Sequence, residues 1–407
     1  MDRVIPSSVV PDISDIQKLI ARQDRELSLQ QEFYTDPGVF QHDMERIFGR
    51  HWTIAGHIGS IPKPGDFFLT EIASESIIIA RGQDSKIRAL ANVCRHRGAN
   101  VCAEKSGNRR VFSCPYHGWT YANDGKLVSA RHMGDGFDKS QYRLKEVQLR
   151  VIQGLIFITL ADEPLGTTRL EETLNAGFGP YDWTSAKVAA REIYRVDANW
   201  KLTVENYVEC YHCAPAHPEY SMLHAIERPP EQIEGMYSRL NDRARELGIA
   251  IDSVSHWHGS ATGEEAAYRL RYPLTDGVET GSRDGKRVAP LMGSFKEFDG
   301  GATSIHCGPS SFCLAYPDHG VIYRFIPRDL QWSDMEAIWL VRSDAIEGRD
   351  YNLDELTWLW RVTLDADKAI IQANQRGVNS RYYEPGPFAP METNEKRYVN
   401  WYLNEIG

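Results

Sequence analysis

Positive charge is in deficit: 46 Lys and Arg stand against 56 Asp and Glu, a formal net charge of −10. Nucleic-acid binders show clustered basic surfaces and a basic domain pI, so neither DNA nor RNA is expected as a partner. Long apolar runs are missing as well. The stretch "GLIFITLA" (154–161) is among the longest, far short of the roughly 20 residues that span a bilayer. The start, "MDRVIPSSVVPDISDIQ", lacks the apolar segment of a secretory signal. Cysteine is sparse and odd in number, seven in all, which suits reduced thiols and metal ligation better than a disulfide framework. A cytoplasmic protein away from membranes is the expectation. Internal repeats and low-complexity tracts are also wanting.

What remains is ordinary globular material, 42% hydrophobic and 25% charged, in a chain long enough for two domains. The first 44 residues read as a polar, helical arm that packs on a larger body. From 45 to 165 short β-rich runs such as "DFFLTEI", "SIIIARG" and "RVIQGLIFITL" alternate with turns, which predicts an antiparallel β domain. From 166 to 407 helices and strands mix, as in an α+β domain. Helices are expected at 199–212, 230–247 and 353–376, and strands at 191–197, 301–307, 311–316 and 320–326. The Gly-rich, charged segment "TDGVETGSRDGKRVAP" (275–290) reads as a mobile loop and candidate lid.

Two cysteine–histidine pairs stand out, Cys94-x-His96 and, seventeen residues on, Cys114-x-x-His117. Each pair sits beside a turn glycine, Gly98 or Gly118, so two opposed loops at one end of the β domain are expected. Two thiolates and two imidazoles can hold zinc. Zinc fingers, however, bring paired cysteines from one side and paired histidines from the other, whereas here each loop carries one of each. A Rieske [2Fe–2S] centre places two cysteines on one iron and two histidines on the other. Cys102, Cys210, Cys213, Cys307 and Cys313 have no comparable spacing and read as buried thiols.

A second histidine pair lies in "NWKLTVENYVECYHCAPAHPEY" (199–220). His212 and His217 are five apart, where a zinc-protease pair would be four apart. Pro215 biases Ala214 away from helical geometry, so a helix ending near His212 and a turn returning His217 to the same point are expected. Two histidines and a carboxylate with open positions form the facial triad of non-haem Fe(II) oxygenases. On the helix at 353–376, Leu356, Trp360, Leu364, Asp367 and Ile371 share one apolar face. An acid on that stripe needs a partner, which selects Asp367. Asp365, beside Arg361 and Lys368, reads as a solvated ion pair. His224, His306 and His319 read as hydrogen-bonded structural residues. His256 and His258, in "HWHG", are candidates for lining a substrate cavity.

"CRHRG" with "CPYHGWTYANDGKL" closely resembles the Rieske domain of the Rieske non-haem iron oxygenases, and 199–220 resembles their iron-binding motif. The resemblance covers nearly the whole chain. It implies an oxidoreductase catalytic subunit whose helix-flanked antiparallel sheet is of the helix-grip (Bet v1-like, START-like) type. Cys94, His96, Cys114 and His117 would hold the [2Fe–2S] cluster, and His212, His217 and Asp367 the mononuclear Fe(II). It implies a homotrimer, a head-to-tail ring in which one subunit's cluster lies beside the next subunit's iron. Glu209 would be the bridging acid, connecting His117 of one subunit to His212 of its neighbour. Most ring-hydroxylating members have aspartate there. Electrons would come from NADH through a separate flavin and iron–sulfur reductase, with Arg95, Arg97, Arg109 and Arg110 as its docking patch or merely solvated charges.

"VENYVECYHCAPAHPEY", "CRHRGANVC" and the tail from "NQRGVNSRYYEPG" are most similar to the oxygenases of quaternary ammonium compounds. That implies O2-dependent N-demethylation of a methylated ammonium zwitterion, proline betaine (stachydrine) or glycine betaine, with release of formaldehyde. The alternatives are an aromatic-ring hydroxylating dioxygenase of the same fold, a Rieske electron carrier and a zinc-stapled binding protein. Aromatic faces would hold the cation, and Trp257, Phe312, Tyr316 and Tyr323 are the candidates.

Overall fold

The computed structural model describes residues 13–225, 228–249 and 262–407. Three helices open it, α1 (Ile13–Arg22), α2 (Glu32–Thr35) and α3 (Pro37–Asp43). Asp36 caps α3 by accepting from the N–H groups of Gly38 and Val39, at 2.7 and 3.2 Å.

Ten strands follow: β1 (Thr53–His57), β2 (Asp66–Ile72), β3 (Glu75–Arg81), β4 (Ile87–Ala91), β5 (Ser106–Asn108), β6 (Val111–Ser113), β7 (Thr120–Ala122), β8 (Leu127–Ser129), β9 (Glu146–Ile152) and β10 (Leu155–Thr159). They form an antiparallel sheet in the order β1-β10-β9-β4-β3-β2-β5 and a small one in the order β6-β7-β8. The run "SIIIAR" is buried along Ile77–Ala80, as a strand with both faces covered should be.

Helix α4 (Thr168–Phe178) leads to β11 (Lys187–Val196), and four helices come next: α5 (Trp200–Val208), α6 (Cys213–Ala216), α7 (Pro218–Leu223) and α8 (Pro230–Glu246). Strands β12 (Ala267–Pro273), β13 (Gly301–Cys307), β14 (Ser311–Ala315), β15 (Gly320–Asp329) and β16 (Trp332–Val341) join β11 in a second antiparallel sheet, ordered β11-β16-β15-β14-β13-β12. The 26-residue α9 (Leu353–Val378) packs against β11 and α5, and α10 (Thr393–Ile406) closes the chain against α5. The α+β architecture of two antiparallel sheets with helices is the one expected. Among the described residues no helix is long and apolar enough to cross a membrane.

Three expectations change. The helix that begins at Trp200 stops at Val208, four residues before His212. Strands β12 and β16 were not foreseen. The segment 275–290 is irregular but anchored, because the buried Asp318 accepts from Thr280 Oγ1 at 2.6 Å and from the Val288 N–H at 2.9 Å. Gly281 also lies against the Tyr316 ring so closely that a Cβ would come within 2.7 Å of it. The segment is therefore held against the sheet and is not the mobile lid expected from its composition.

The arm is tied to the catalytic half by buried polar groups. Asp43 accepts from Lys201, from Trp200 Nε1 at 3.1 Å and from Tyr402 Oη at 2.7 Å, and Asp43 and Lys201 are both fully buried. A second knot is His51, which faces Glu265 at 3.0 Å and Glu405 at 3.3 Å. Burial disfavours the His51 imidazolium, but Glu265 and then Glu405 outweigh it and push its pKa up to about 9. The folded state thus holds this proton more tightly than the unfolded chain. Its contribution is full below about pH 6.5 and disappears as pH rises through 9. The difference in unfolding free energy between wild type and His51→Gln should shrink by on the order of 3 kcal/mol between pH 6.5 and 9.5. Denaturation series at the two pH values read it directly, and a pH-independent difference contradicts a charged His51.

Candidate functional site

The two cysteine–histidine loops are built alike. In each, the cysteine carbonyl accepts from the glycine N–H four residues on, at 2.9 Å for Gly98 and 3.0 Å for Gly118. In each, the cysteine N–H donates five residues forward, to Ala99 and to Trp119, both at 2.8 Å. Gly98 and Gly118 have φ of +82° and +71°, left-handed values that favour glycine. Cys94 and Cys114 are buried and interact with each other, while His96 and His117 are exposed and bring their Nδ1 atoms within 3.1 Å.

Sulfur therefore pairs with sulfur and nitrogen with nitrogen, an arrangement that could hold a two-iron cluster. Among the described residues, three ligand atoms close enough for a single ion gather elsewhere, at His212, His217 and Asp367. Tyr121 Oη lies 3.4 Å from Cys94 Sγ and accepts from the Arg95 N–H at 3.0 Å. His96 stacks on Trp119 and His117 on Tyr116. Of the candidate docking arginines, Arg97 lies 5.6 Å over the Tyr116 ring and Arg109 pairs with Glu104 at 2.5 Å. Arg95 reaches the Arg143 carbonyl at 3.5 Å, and Arg110 is exposed.

The second constellation forms where α5 ends. His212 precedes α6 and His217 stands between α6 and α7. Asp367 reaches across from α9, with Oδ1 2.8 Å from His217 Nε2 and 3.4 Å from His212 Nε2. The three ligand atoms lie within 4.8 Å of one another. Burial alone would raise the Asp367 pKa, but the two imidazoles outweigh it and hold the carboxyl below its ordinary range. The group is an anion aimed at two nitrogens, as a metal ligand must be. Asp365 is exposed, and Arg361 pairs with Glu192 at 2.9 Å and Asp354 at 3.2 Å rather than with it.

Glu209 caps the end of α5, and its Oε1 accepts from His212 Nδ1, fixing the ring so that Nε2 faces Asp367. This is the carboxylate–histidine support found behind metal-ligating imidazoles. Burial opposes the positive charge on His212, while Asp367 and Glu209 raise its pKa to about 9. Cys210 and Cys213 flank His212 and are joined as a disulfide, their Cα atoms 4.9 Å apart across the turn. That corrects their reading as free thiols; Cys102, Cys307 and Cys313 are free and buried as expected.

A cavity of about 430 Å³ opens on this triad. Its floor follows from strand alternation: Tyr268, Leu270 and Tyr272 of β12 line it, while Arg269 and Arg271 point to the opposite face. Phe312 and Tyr323 line it as expected, together with Tyr207, Tyr220 and Trp360. Tyr316 does not: it is fully buried behind the wall, donating to His224 Nε2 at 2.6 Å. Trp257, His256 and His258 lie outside the described residues. His224 and His306 are on the wall, and burial lowers their pKa to about 4 and about 3, so both are neutral. The tyrosines of β12 were missed, although the period-2 pattern of "AYRLRYP" carries the signal.

Alanine in place of any one of Cys94, His96, Cys114 or His117 is expected to abolish the low-g-average EPR signal of the reduced protein. A variant that keeps the signal removes its residue from the ligand set.

Residues 51–148 match the Rieske [2Fe-2S] domain and 183–407 match the ring hydroxylating alpha subunit catalytic domain. The glycine betaine monooxygenase oxygenase subunit of Pseudomonas aeruginosa is 36% identical over 397 residues, 96% of this chain and 92% of that one. The carnitine monooxygenase oxygenase subunit of Escherichia coli is 34% identical over 230 residues, 54% of this chain and 60% of that one. A crystal structure of a quaternary ammonium Rieske monooxygenase with L-carnitine superposes with a TM-score of 0.69 at 22% identity, covering 95% of this chain and 98% of that one. With both domain families and a full-length relative in agreement with the paired loops and the buried triad, the chain belongs to the Rieske non-haem iron oxygenases, as a catalytic oxygenase subunit.

Proposed function

We propose that this chain is the oxygenase subunit of a cytoplasmic monooxygenase that demethylates a small quaternary ammonium zwitterion, glycine betaine or proline betaine. The observation that carries the reading is the aromatic cavity opening on His212, His217 and Asp367. A quaternary nitrogen cannot donate a hydrogen bond, so aromatic faces are its natural partners. Tyr207, Phe312 and Tyr323 make a contiguous wall, with ring centroids 4.1 Å apart for Tyr207–Phe312 and 5.1 Å for Tyr207–Tyr323. The neutral His224 and His306 add no positive charge to repel a cation. A relative matched over 92% of its length is named for glycine betaine, and the carnitine enzyme aligns over only about half of this chain.

In this reading Cys94, His96, Cys114 and His117 hold the cluster, and His212, His217 and Asp367 hold the mononuclear iron. When bound, the two centres supply single-electron relay and O2 activation for hydroxylation of an N-methyl carbon. The chain orients that methyl group by clasping the cation and keeps bulk water away with its aromatic wall. The N–CH2OH product falls apart to formaldehyde and the amine with one methyl fewer. That collapse requires no catalytic base. Overall, one NADH and one O2 convert the N-methyl cation to amine, formaldehyde, NAD+ and water. NADH is oxidised on a separate flavin reductase, which docks near Arg95, Arg97, Arg109 and Arg110.

Glu209 holds the Nδ1 proton of His212 and, in a head-to-tail homotrimer, bridges to His117 of the neighbouring subunit. Glu209→Gln should retain both metal centres yet lose most turnover. Normal turnover in that variant removes the bridge. Equimolar formaldehyde and demethylated amine per NADH are expected with glycine betaine or proline betaine. A substrate panel in which ring compounds are hydroxylated and betaines ignored overturns the substrate reading.

A further inference from the structure

The cavity wall carries one Lys or Arg side chain among the described residues, Arg397. It comes from α10, far in sequence from the triad, and Asn394 one turn earlier lines the cavity with it. Positions three apart on a helix share a face, so the pair adds a polar edge to the wall that also carries Tyr207, Phe312 and Tyr323. Arg397 is exposed, and its Nη1 donates to Asn394 Oδ1 at 3.4 Å. That contact holds the guanidinium at the rim.

Among the described residues Arg397 has no carboxylate within ion-pair distance, whereas Lys396 beside it pairs with Glu26. Among the described residues the cavity's acids are Asp367, engaged by both triad imidazoles, and Glu209, engaged by His212. Among the described residues Arg397 is thus the one guanidinium or ammonium on the wall, and it comes from α10, apart from the helix that carries Asp367.

We infer that Arg397, positioned by Asn394, binds the carboxylate of the zwitterion and selects amino-acid betaines over quaternary alcohols. This rests on the proposed function and adds which end of the substrate faces α10. The cation goes among the aromatic rings toward the triad, the carboxylate toward the guanidinium, and the N-methyl carbon is presented inward. A guanidinium suits this task because its planar fork can match a carboxylate with two parallel hydrogen bonds.

Calorimetric binding of glycine betaine, proline betaine and choline to the iron-loaded holoenzyme, without reductant, tests it. Choline keeps the cation and lacks the carboxylate. Wild type should bind at least one betaine more tightly than choline. Arg397→Ala should weaken betaine binding by about tenfold or more, leave choline binding unchanged and so level the preference. Arg397→Lys should restore part of it. In turnover, the loss should fall on KM with kcat at saturating substrate largely kept.

A betaine preference that survives in Arg397→Ala overturns the assignment of Arg397 and leaves the proposed function standing. Equal loss of betaine and choline also overturns it, as the mark of a merely structural role at the start of α10. Wild type that binds none of the three overturns the proposed function and this inference together.

Discussion

A carboxylate buried under an aromatic wall is the constraint to which the catalytic half answers. Asp367 is 8% exposed on the apolar stripe of α9, and an uncompensated charge there would cost several kcal/mol. Compensation comes from His212 and His217, which can reach it only because α5 ends at Val208 and the chain turns twice around α6. Glu209, at that helix end, then sets which nitrogen of His212 faces inward. Each of these features is local, yet they meet at one carboxylate oxygen. The same demand explains the anchoring beneath α5, where Lys201, Trp200 and Tyr402 converge on Asp43 and fix the helix to the N-terminal arm.

The two metal-type sites solve opposite problems of access. In the paired loops the cysteines are inside and the histidines at the surface, so the edge through which an electron would leave is the exposed one. In the triad His217 and Asp367 are buried, and His212 opens into the cavity. A centre that passes electrons to another molecule needs contact. A centre that handles a reactive oxidant needs shelter from water.

Much of this was legible in the residues. The ligand types and spacings pointed to both sites, and the apolar periodicity of 353–376 singled out Asp367 over Asp365; Asp367 is buried and Asp365 exposed. Strand 301–307 has the expected bounds. What escaped did so for physical reasons. "AYRLRYP" alternates tyrosine with arginine and so reads as half-solvated, but Arg271 is buried and paired with Asp299 and Tyr181. The loop at 275–290 has the composition of a mobile segment, and nothing local announces that Asp318, nearly thirty residues on from its end, collects its donors. Cys210 and Cys213 were passed over because an odd cysteine count argued against disulfides, whereas a turn around His212 brings them together. Arg397 was invisible because its role depends on where α10 lands.

Two metal sites with separate ligand sets in one chain, the second built on Asp367, require a definite iron content. Elemental analysis of wild type beside Asp367→Ala tests it most directly. About three irons per chain are expected for wild type, two for the cluster and one for the triad. Asp367→Ala should fall to about two, with the reduced cluster signal intact and zinc absent from both proteins. Undiminished iron in Asp367→Ala, or zinc in place of iron at either site, would contradict the account.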